Sequence, residues 1–230
     1  MNTESIDRIQ WKNTAYEFLE DCIKCLWSDK GHKALDYLHW RGLQDRTIKE
    51  WMLGYHPDDA FFNTREWGIE GGRGKMVISR GIIIPCQDEF GLHYLNIRTN
   101  QGDEKYKKVK GSKTWLYGAR TFKKNLIGFL FEGEFDALLA WQTEYVLGYA
   151  SLPAKQKIKP AYQPFFDEMI DVIVAYDDDE AGHKAADDLC DQFPGFTKAT
   201  SFPFGKDLTE YYQMGGDVLG WIQEQVLYLA

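Results

Sequence analysis

From residue 126 onward, the sequence alternates between short apolar runs and segments with helical patterning. The apolar runs are LIGFLF, YVLGYAS, DVIVAY and FTKATSF. Continuous apolar strands that are separated by helices are typical of a parallel sheet covered on both faces. The pattern therefore predicts an α/β fold in which helices flank a parallel sheet, with VLGWIQEQVLYL as a closing helix.

The first half of the chain has a different pattern, which predicts a smaller α+β subdomain. The first sixty residues are expected to be helical, because apolar residues recur at helical spacing in 14-27 and in two short segments of HKALDYLHWRGLQDRTIKEWMLGY. RGIIIPCQDEFGLHYLNIRT predicts a β-hairpin, and the lysine-rich stretch after it is expected to be a loop or irregular surface. Pattern and charge change near residue 120, so we expect divisions at 1-120, 121-216 and 217-230.

Composition limits the class of protein. With 230 residues, of which 44% are hydrophobic, the chain is long enough to form a proper core. It contains no apolar window of membrane-spanning length and no signal pattern at its N-terminus, so we expect a cytoplasmic location. Four scattered cysteines exclude a disulfide framework. For the C-x-x-C formed by Cys22 and Cys25, we favour ordinary helix packing over metal binding.

Charge is distributed unevenly along the chain. The net charge is -8, but from Arg98 to Lys124 nine basic residues face two acidic ones. From Asp167 to Asp191, ten acidic residues face one lysine. A basic surface together with an acidic pocket suits a protein that holds a polyanion and also binds divalent cations. Two solvated charged faces are an equally open interpretation of charge alone.

Acidic side chains follow two of the predicted strands where each strand ends. Glu132 comes directly after LIGFLF, and Asp177 and Asp179 follow DVIVAY. Because ligands bind at the carboxyl ends of strands in an open parallel sheet, we expect these carboxylates to meet at one edge. Clustered carboxylates select hard cations such as Mg²⁺ or Mn²⁺. Taken singly, each motif also fits a helix N-terminal acid or a solvated capping loop.

Three motifs, EGEFDAL, AYDDDEAG and GKDLTEYYQMGG, resemble the signature of the Toprim domain that DNA primases share with topoisomerases and small nucleases. Upstream, ALDYLHWRGLQDRTIKEWMLGYHP, IIIPCQDEFGLHYLNIR and KYKKVKGSKTWLYG are similar to segments of bacterial and phage-type primases. The resemblance is collinear over roughly residues 30-215. It implies a stand-alone primase catalytic core without zinc-binding or helicase domains, in which 1-120 carries a basic template-binding ridge and 121-216 is the Toprim catalytic domain.

The resemblance also implies roles for individual residues. The catalytic residues would be Glu132, Asp177 and Asp179, and the ligands of two Mg²⁺ or Mn²⁺ ions would be Glu132, Asp136, Asp177, Asp179 and Asp207. Contacts to template and nucleotide phosphates would come from Arg41, Arg98, Lys105, Tyr106 and Lys113. Bacterial primases often have a second acid two residues after the position of Asp207. This chain has Thr209 there, and Glu210 is the candidate replacement.

The function that follows is template-directed synthesis of short RNA primers on single-stranded DNA by two-metal nucleotidyl transfer. The expected partners are single-stranded DNA and ribonucleoside triphosphates, with a replicative helicase or a separate zinc-binding factor as further candidates, in the cytoplasm of a bacterium or a phage-infected host. Two alternatives stay open. The same carboxylates can direct water in a metal-dependent Toprim nuclease, or the chain can be a non-catalytic nucleic-acid-binding module of a replication assembly.

Overall fold

The computed structural model describes residues 5–71, 74–100, 104–145 and 147–229. The chain divides into two compact units. The first unit comprises Met1–His39 and Asp45–Trp115, and the second comprises Trp40–Gln44 and Leu116–Ala230. Acidic and basic residues balance in the first unit, so the net charge of -8 belongs to the second.

The segment Trp40–Gln44 belongs to the second unit although it lies inside the predicted N-terminal subdomain. The side chain of Gln142 explains this association. Its Nε2 donates to the carbonyl oxygen of Gly42 at 2.8 Å, and its Oε1 accepts from the backbone N–H of Gln44 at 3.1 Å. Residues that are remote in sequence therefore share one unit because a single amide side chain holds both backbone groups.

Helices open the first unit. They are α1 (Arg8–Leu26), α2 (His32–Trp40) and α3 (Asp45–Glu50), with a 3-10 turn at Asp29–Gly31. The first helix begins earlier than the pattern predicts, because the Asp7 side chain accepts hydrogen bonds from the backbone N–H groups of Ile9 and Gln10 and caps it. Its buried stripe includes Leu19 and Leu26, which confirms the predicted apolar face.

Strands make up the rest of the first unit. They are β1 (Ser5–Ile6), β2 (Gly54–His56), β3 (Ala60–Asn63), β4 (Ile69–Glu70), β5 (Lys75–Ile78), β6 (Gly81–Asp88), β7 (Gly91–Arg98) and β8 (Tyr106–Lys108). An antiparallel sheet has the order β2-β6-β7-β8, and β1 pairs with β4 and β3 with β5. The predicted hairpin is confirmed as β6 and β7.

Two local predictions in this unit are wrong. The first sixty residues are not all helical, since β2 already pairs with β6. The lysine-rich stretch is not only a loop, since β8 pairs with β7 and places Lys108 opposite Asn96. This pairing gives the backbone groups along the outer edge of β7 hydrogen-bond partners, and the buried side chain of Val109 anchors the stretch in the core. One buried valine is too weak a signal to reveal a strand from sequence.

The second unit is built on a parallel sheet. Its strands are β9 (Ile127–Phe131), β10 (Gly148–Ser151), β11 (Asp171–Ala175) and β12 (Phe196–Lys198), and its helices are α4 (Glu134–Trp141), α5 (Gln163–Asp167), α6 (Glu180–Gln192), α7 (Leu208–Gln213) and α8 (Val218–Leu227), with 3-10 turns at Ala119–Thr121 and Pro160–Tyr162. The strand order is β10-β9-β11-β12, and every neighbouring pair is parallel. The predicted parallel sheet flanked by helices is confirmed.

One helix of this unit is much shorter than expected. The sequence pattern predicts a helix over 153-169, whereas the structure has only a 3-10 turn at Pro160–Tyr162 and the short α5. Proline lacks a backbone N–H and fits only the first turn of a helix. Pro160 and Pro164 each occupy such a first-turn position, so each one starts a new turn and prevents a continuous helix.

Candidate active site

Acidic side chains gather at the carboxyl edge of the parallel sheet. Strands β9 and β11 are neighbours in register, with Phe131 opposite Ala175 at their ends. Glu132 follows the first strand directly, and Asp177 follows the second by two residues. Because the two strands end side by side, the structure brings together carboxylates that are some forty-five residues apart in sequence.

Two further acids reach this edge as helix caps. Asp179 is the N-cap of α6, where its Oδ1 accepts from the backbone N–H of Gly182 at 2.8 Å. Asp207 is the N-cap of α7, where its Oδ1 accepts from the backbone N–H of Glu210 at 2.7 Å. Each cap uses one oxygen of a carboxylate and fixes the orientation of that carboxylate.

Gly182 is required by the close approach of the backbone at this turn. A Cβ atom at Gly182 would lie 2.1 Å from the carbonyl oxygen of Asp177. Any larger residue would push α6 away from the end of β11. The glycine in AYDDDEAG therefore sets the spacing between Asp177 and the capped start of the helix.

The fifth acid, Asp136, is buried in the first turn of α4 and is held by Thr209. The backbone N–H of Thr209 donates to Asp136 Oδ1 at 3.0 Å, and the Thr209 hydroxyl donates to the same oxygen at 2.6 Å. Arg41 Nη2 donates to the Thr209 hydroxyl oxygen at 3.1 Å, and its guanidinium lies 5.1 Å from the ring centroid of Phe135. Exposed fractions of 6% for Asp136 and 1% for Thr209 show that this contact is sealed from water.

We call Glu132, Asp136, Asp177, Asp179 and Asp207 the acidic cluster. Burial, and then the charges of Glu132, Asp136 and Asp207, raise the pKa of Asp177 to about 7, against which Lys206 acts. Such a shift means that the folded protein binds a proton at Asp177 far more tightly than a free aspartate does. The repulsion between these carboxylates is therefore only partly relieved by protein groups.

The pKa values of Glu132 and Asp136 are also raised. For Glu132 burial is the main cause, the charge of Asp179 adds to it, and a backbone hydrogen bond from Ala154 opposes both. For Asp136 burial is again the main cause, followed by the charge of Asp207. Each of the five carboxylates thus influences at least one other, so Glu132 and Asp179 share one electrostatic environment, as the strand-end prediction requires.

The predicted nucleic-acid contacts divide between the units. Arg98 and Tyr106 lie opposite each other on β7 and β8, and the guanidinium of Arg98 is 4.9 Å from the centroid of the Tyr106 ring. The carbonyl oxygen of Lys105 accepts from Thr99, and the ammonium of Lys113 is 5.8 Å from the centroid of the Trp115 ring. These four predicted residues belong to the first unit, whereas Arg41 belongs to the second.

Sequence reasoning missed two contributors to the acidic edge. The sequence predicts no role for Thr209 beyond the absence of an acid at that position, although its hydrogen bonds hold Asp136. Lys206 was not singled out, although its charge lowers the pKa of both Asp177 and Glu132. The available signal was the segment KDLTE, in which a capping acid is flanked by a lysine and followed by a helix. The candidate replacement Glu210 instead accepts from the backbone N–H of Lys206 at 3.2 Å.

Part of the second unit matches a known protein family. Residues 129–212, which contain the acidic cluster, match the family model described as Toprim-like. This match covers the parallel sheet and its helices up to α7. The matched part of the second unit is therefore similar to Toprim-like domains, and Toprim primases are generally metal-dependent.

More particular similarities are to DNA primases. A DNA primase of Chlamydia muridarum (strain MoPn / Nigg) is 24% identical over 240 residues, a match that covers 88% of this chain and 38% of the primase. The RNA polymerase domain of Mycobacterium tuberculosis primase DnaG, in complex with a double-stranded DNA oligomer with a 6-nucleotide overhang, has a TM-score of 0.76 and 18% identity, over 96% of this chain and 80% of that one. The primase fragment of the bacteriophage T7 primase-helicase protein has a TM-score of 0.58 and 21% identity, over 81% of this chain and 72% of that one.

These similarities confirm the resemblance to primase catalytic cores and the predicted fold. This chain spans about two fifths of the length of the chlamydial primase that it matches. None of the helices in the described ranges has the length and hydrophobicity that crossing a bilayer requires.

The acidic cluster fits a divalent cation by the chemistry of its donors. All five side chains offer carboxylate oxygens. Burial and neighbouring acids raise the pKa values of Glu132, Asp136 and Asp177, so the charged forms of these three carboxylates would be stabilised by added positive charge. Within the described residues, no three His, Cys, Asp or Glu side chains are already arranged around one ion position. A bound cation would therefore have to draw the carboxylates closer together, and its positive charge would offset the repulsion that opposes that movement.

Proposed function

We propose that this chain is the catalytic core of a DNA primase, which synthesises short RNA primers on a single-stranded DNA template from ribonucleoside triphosphates. The acidic cluster carries the proposal, because it stands at the carboxyl edge of a sheet whose fold is that of primase RNA polymerase domains. The similarity of sequence to a DNA primase over most of this chain supports the same activity.

The positions of the residues in the acidic cluster suggest which of them would bind metal ions and which would assist proton transfer. Asp177 and Asp179, next to each other at the end of β11, would hold two Mg²⁺ or Mn²⁺ ions, with Asp136 and Asp207 supporting them from two helix starts. When bound, such ions lower the pKa of the attacking 3′ hydroxyl and balance the charge of the triphosphate. Glu132, whose carboxyl group holds a proton more tightly than usual, is placed to assist proton transfer at the same edge.

Template and nucleotide phosphates would be bound by the first unit. Arg98 and Tyr106 present a cation and an aromatic ring side by side, a combination that suits a phosphate and a stacked base. Lys105 and Lys113 add positive charge from the same lysine-rich stretch. Binding of single-stranded DNA should then weaken as salt rises, because phosphate contacts release counterions. A replicative helicase and a separate zinc-binding factor remain proposed partners.

The test is primer synthesis on random single-stranded DNA with ribonucleotides and Mg²⁺ or Mn²⁺. Asp179→Ala should abolish the RNA product, because it removes a carboxylate of the acidic cluster. Asp217→Ala is the matched control: Asp217 caps α8 through the backbone N–H of Gly220, so both substitutions lose one N-cap, worth about 1 kcal/mol, but only one touches the acidic cluster. An Asp217 variant as inactive as the Asp179 variant, or wild type that makes no RNA with either metal, would refute the proposal.

The same preparation discriminates the two rival functions. A Toprim nuclease would cleave labelled DNA with metal and without ribonucleotides, and that cleavage would depend on Asp179. A non-catalytic binding module would bind DNA and show neither activity. We expect RNA synthesis that requires ribonucleotides, with no cleavage in their absence.

A further inference from the structure

A buried hydroxyl group, that of Thr209, lies at the acidic edge of the sheet. Thr209 is 1% exposed and stands two residues after the capping Asp207. A neutral hydroxyl binds a hard cation more weakly than a carboxylate does, so the chemistry of Thr209 does not favour direct metal binding. Its hydrogen bonds show a different use.

Two donors of Thr209 converge on one oxygen of Asp136. The backbone N–H at 3.0 Å and the hydroxyl at 2.6 Å both reach Oδ1. The backbone donor alone would leave the carboxyl group free to swing about that single bond. The second donor fixes the plane of the carboxylate, since two bonds from one residue to one atom leave little rotation.

Arg41 determines the direction in which the Thr209 hydroxyl donates. A hydroxyl has one hydrogen, and its oxygen here accepts from Arg41 Nη2 at 3.1 Å. Because the guanidinium is only a donor, the hydroxyl hydrogen is left for Asp136. Arg41 also brings positive charge, which lowers the pKa of Asp136 against the effect of burial. Arg41 thus donates to the Thr209 hydroxyl, and the Thr209 hydroxyl donates to the carboxylate of Asp136.

The other oxygen of Asp136 packs closely on the backbone of Gly133. A Cβ atom at Gly133 would lie 2.8 Å from Asp136 Oδ2. Glycine therefore leaves the space that this oxygen occupies at the start of α4. One oxygen of Asp136 is held by Thr209, and the other lies against the backbone of Gly133, the residue that follows Glu132 in the chain.

We infer that Thr209 and Arg41 are positioning residues for Asp136: they fix one of its oxygens so that the other is pre-oriented for a divalent cation. This inference rests on the proposed function for the identity of the ligand, and it assigns Arg41 to the support of the acidic cluster instead of to contact with nucleic-acid phosphates. The arrangement replaces an additional acid with a hydroxyl and a cation, so it orients Asp136 without adding to the repulsion within the cluster.

The test measures cation binding apart from catalysis. Mn²⁺ binding to the full chain, followed by electron paramagnetic resonance without template or nucleotide, should weaken roughly 10–100-fold in Thr209→Val, as is typical when a partner of a metal ligand is lost. Thr209→Ser keeps the hydroxyl and should restore binding to within a few fold of wild type. Arg41→Met should weaken Mn²⁺ binding in the same direction and leave single-stranded DNA binding in EDTA unchanged.

Thr64→Val is the matched control for replacing a buried threonine. Thr64 is also 1% exposed, and its hydroxyl has no hydrogen-bond partner within the described part of the chain. The control should bind Mn²⁺ like wild type. If Thr209→Val does not fold, as judged by circular dichroism, the comparison of Thr209→Ser with Arg41→Met decides the matter.

The outcomes separate this inference from the proposed function. Wild-type Mn²⁺ affinity in both Thr209→Val and Arg41→Met would overturn the inference even if primers are made. Weakened Mn²⁺ binding in a protein that makes no primers would uphold the positioning role and refute the primase proposal. Loss of DNA binding by Arg41→Met in EDTA would return Arg41 to the phosphate contacts and overturn its assignment here.

Discussion

Replacing Asp177 with asparagine should stabilise the protein when metal is absent. The substitution keeps the size of the side chain and removes its charge. In the folded protein the pKa of Asp177 is raised from 3.8 to about 7, chiefly by burial and then by neighbouring acids. The charged form is thus disfavoured by folding at neutral pH, and asparagine removes that unfavourable contribution.

The sign and size of the effect follow from this shift. An acid with a raised pKa binds more protons folded than unfolded, so its contribution lowers stability as pH rises from about 4 to about 7 and is constant above that. Each pKa unit corresponds to about 1.4 kcal/mol, which gives an upper limit of about 4 kcal/mol. Because the side chain is partly open to solvent, we expect roughly 1–2 kcal/mol. For a chain of this size that raises the unfolding midpoint by about 3–6 °C.

Thermal unfolding of both proteins in EDTA between pH 5 and 8.5 measures the effect. The difference in midpoint should be largest at pH 8 and less than half as large at pH 5, because the contribution of Asp177 disappears completely only below about pH 4. Adding Mg²⁺ at pH 8 should stabilise wild type more than Asp177→Asn, since a cation relieves the same repulsion. Asp187→Asn serves as the control, because Asp187 lies 2.8 Å from the Lys198 ammonium on an exposed surface and its loss should not stabilise.

Two results would refute this reasoning. Asp177→Asn could be no more stable than wild type at pH 8, which would mean that burial and the neighbouring acids do not disfavour the charged form of Asp177. Alternatively, the difference could be the same at pH 5 and pH 8, which would trace the effect to packing instead of charge.

Three further predictions concern packing and reactivity. Gly182→Ala should cost roughly 1–3 kcal/mol in urea unfolding, because its Cβ would meet the carbonyl oxygen of Asp177 at 2.1 Å; an unchanged midpoint would contradict that contact. Trp11→Phe should cost roughly 2–4 kcal/mol, since the buried indole Nε1 donates to the Lys110 carbonyl oxygen at 2.9 Å and the smaller ring leaves a cavity; a cost well below 1 kcal/mol would count against it. Burial raises the pKa of the Cys22 thiol, so it should resist a thiol reagent in the folded protein and react after unfolding; equal rates in both states would disprove its burial.

The sheet of the second unit was predictable because β9, β10 and β11 are buried on both faces, which leaves continuous apolar runs in the sequence. The gathering of Glu132 and Asp177 was predictable for the same reason, since parallel strands end at a common edge. Neither inference needs knowledge of a particular side-chain contact. The helix predicted over 153-169 is wrong because the prediction rests on apolar spacing. It does not take into account that Pro160 and Pro164 lack the backbone N–H groups that a continuous helix needs.

Contacts between residues remote in sequence were not predictable in this way. The hydrogen bond between Thr209 and Asp136 spans 73 positions, and it depends on how α4 and α7 approach each other. The association of Gly42 with Gln142 spans 100 positions and leaves no local pattern. Strand β8 depends on the free edge of β7, which the sequence of β8 does not record.

The bond from Gln142 to Gly42 has a consequence for how the molecule can be taken apart. The backbone at Gly42 packs so closely on the Tyr212 ring that an added Cβ would lie 2.5 Å from it, and the neighbouring Leu43 is buried. A protein shortened to begin at Leu116 would leave the surfaces that cover residues 40–44 bare and prone to aggregate. Because residues 40–44 belong to the second unit, truncation at one position does not give this unit complete. A chimaeric protein that exchanges the second unit would therefore also have to include residues 40–44.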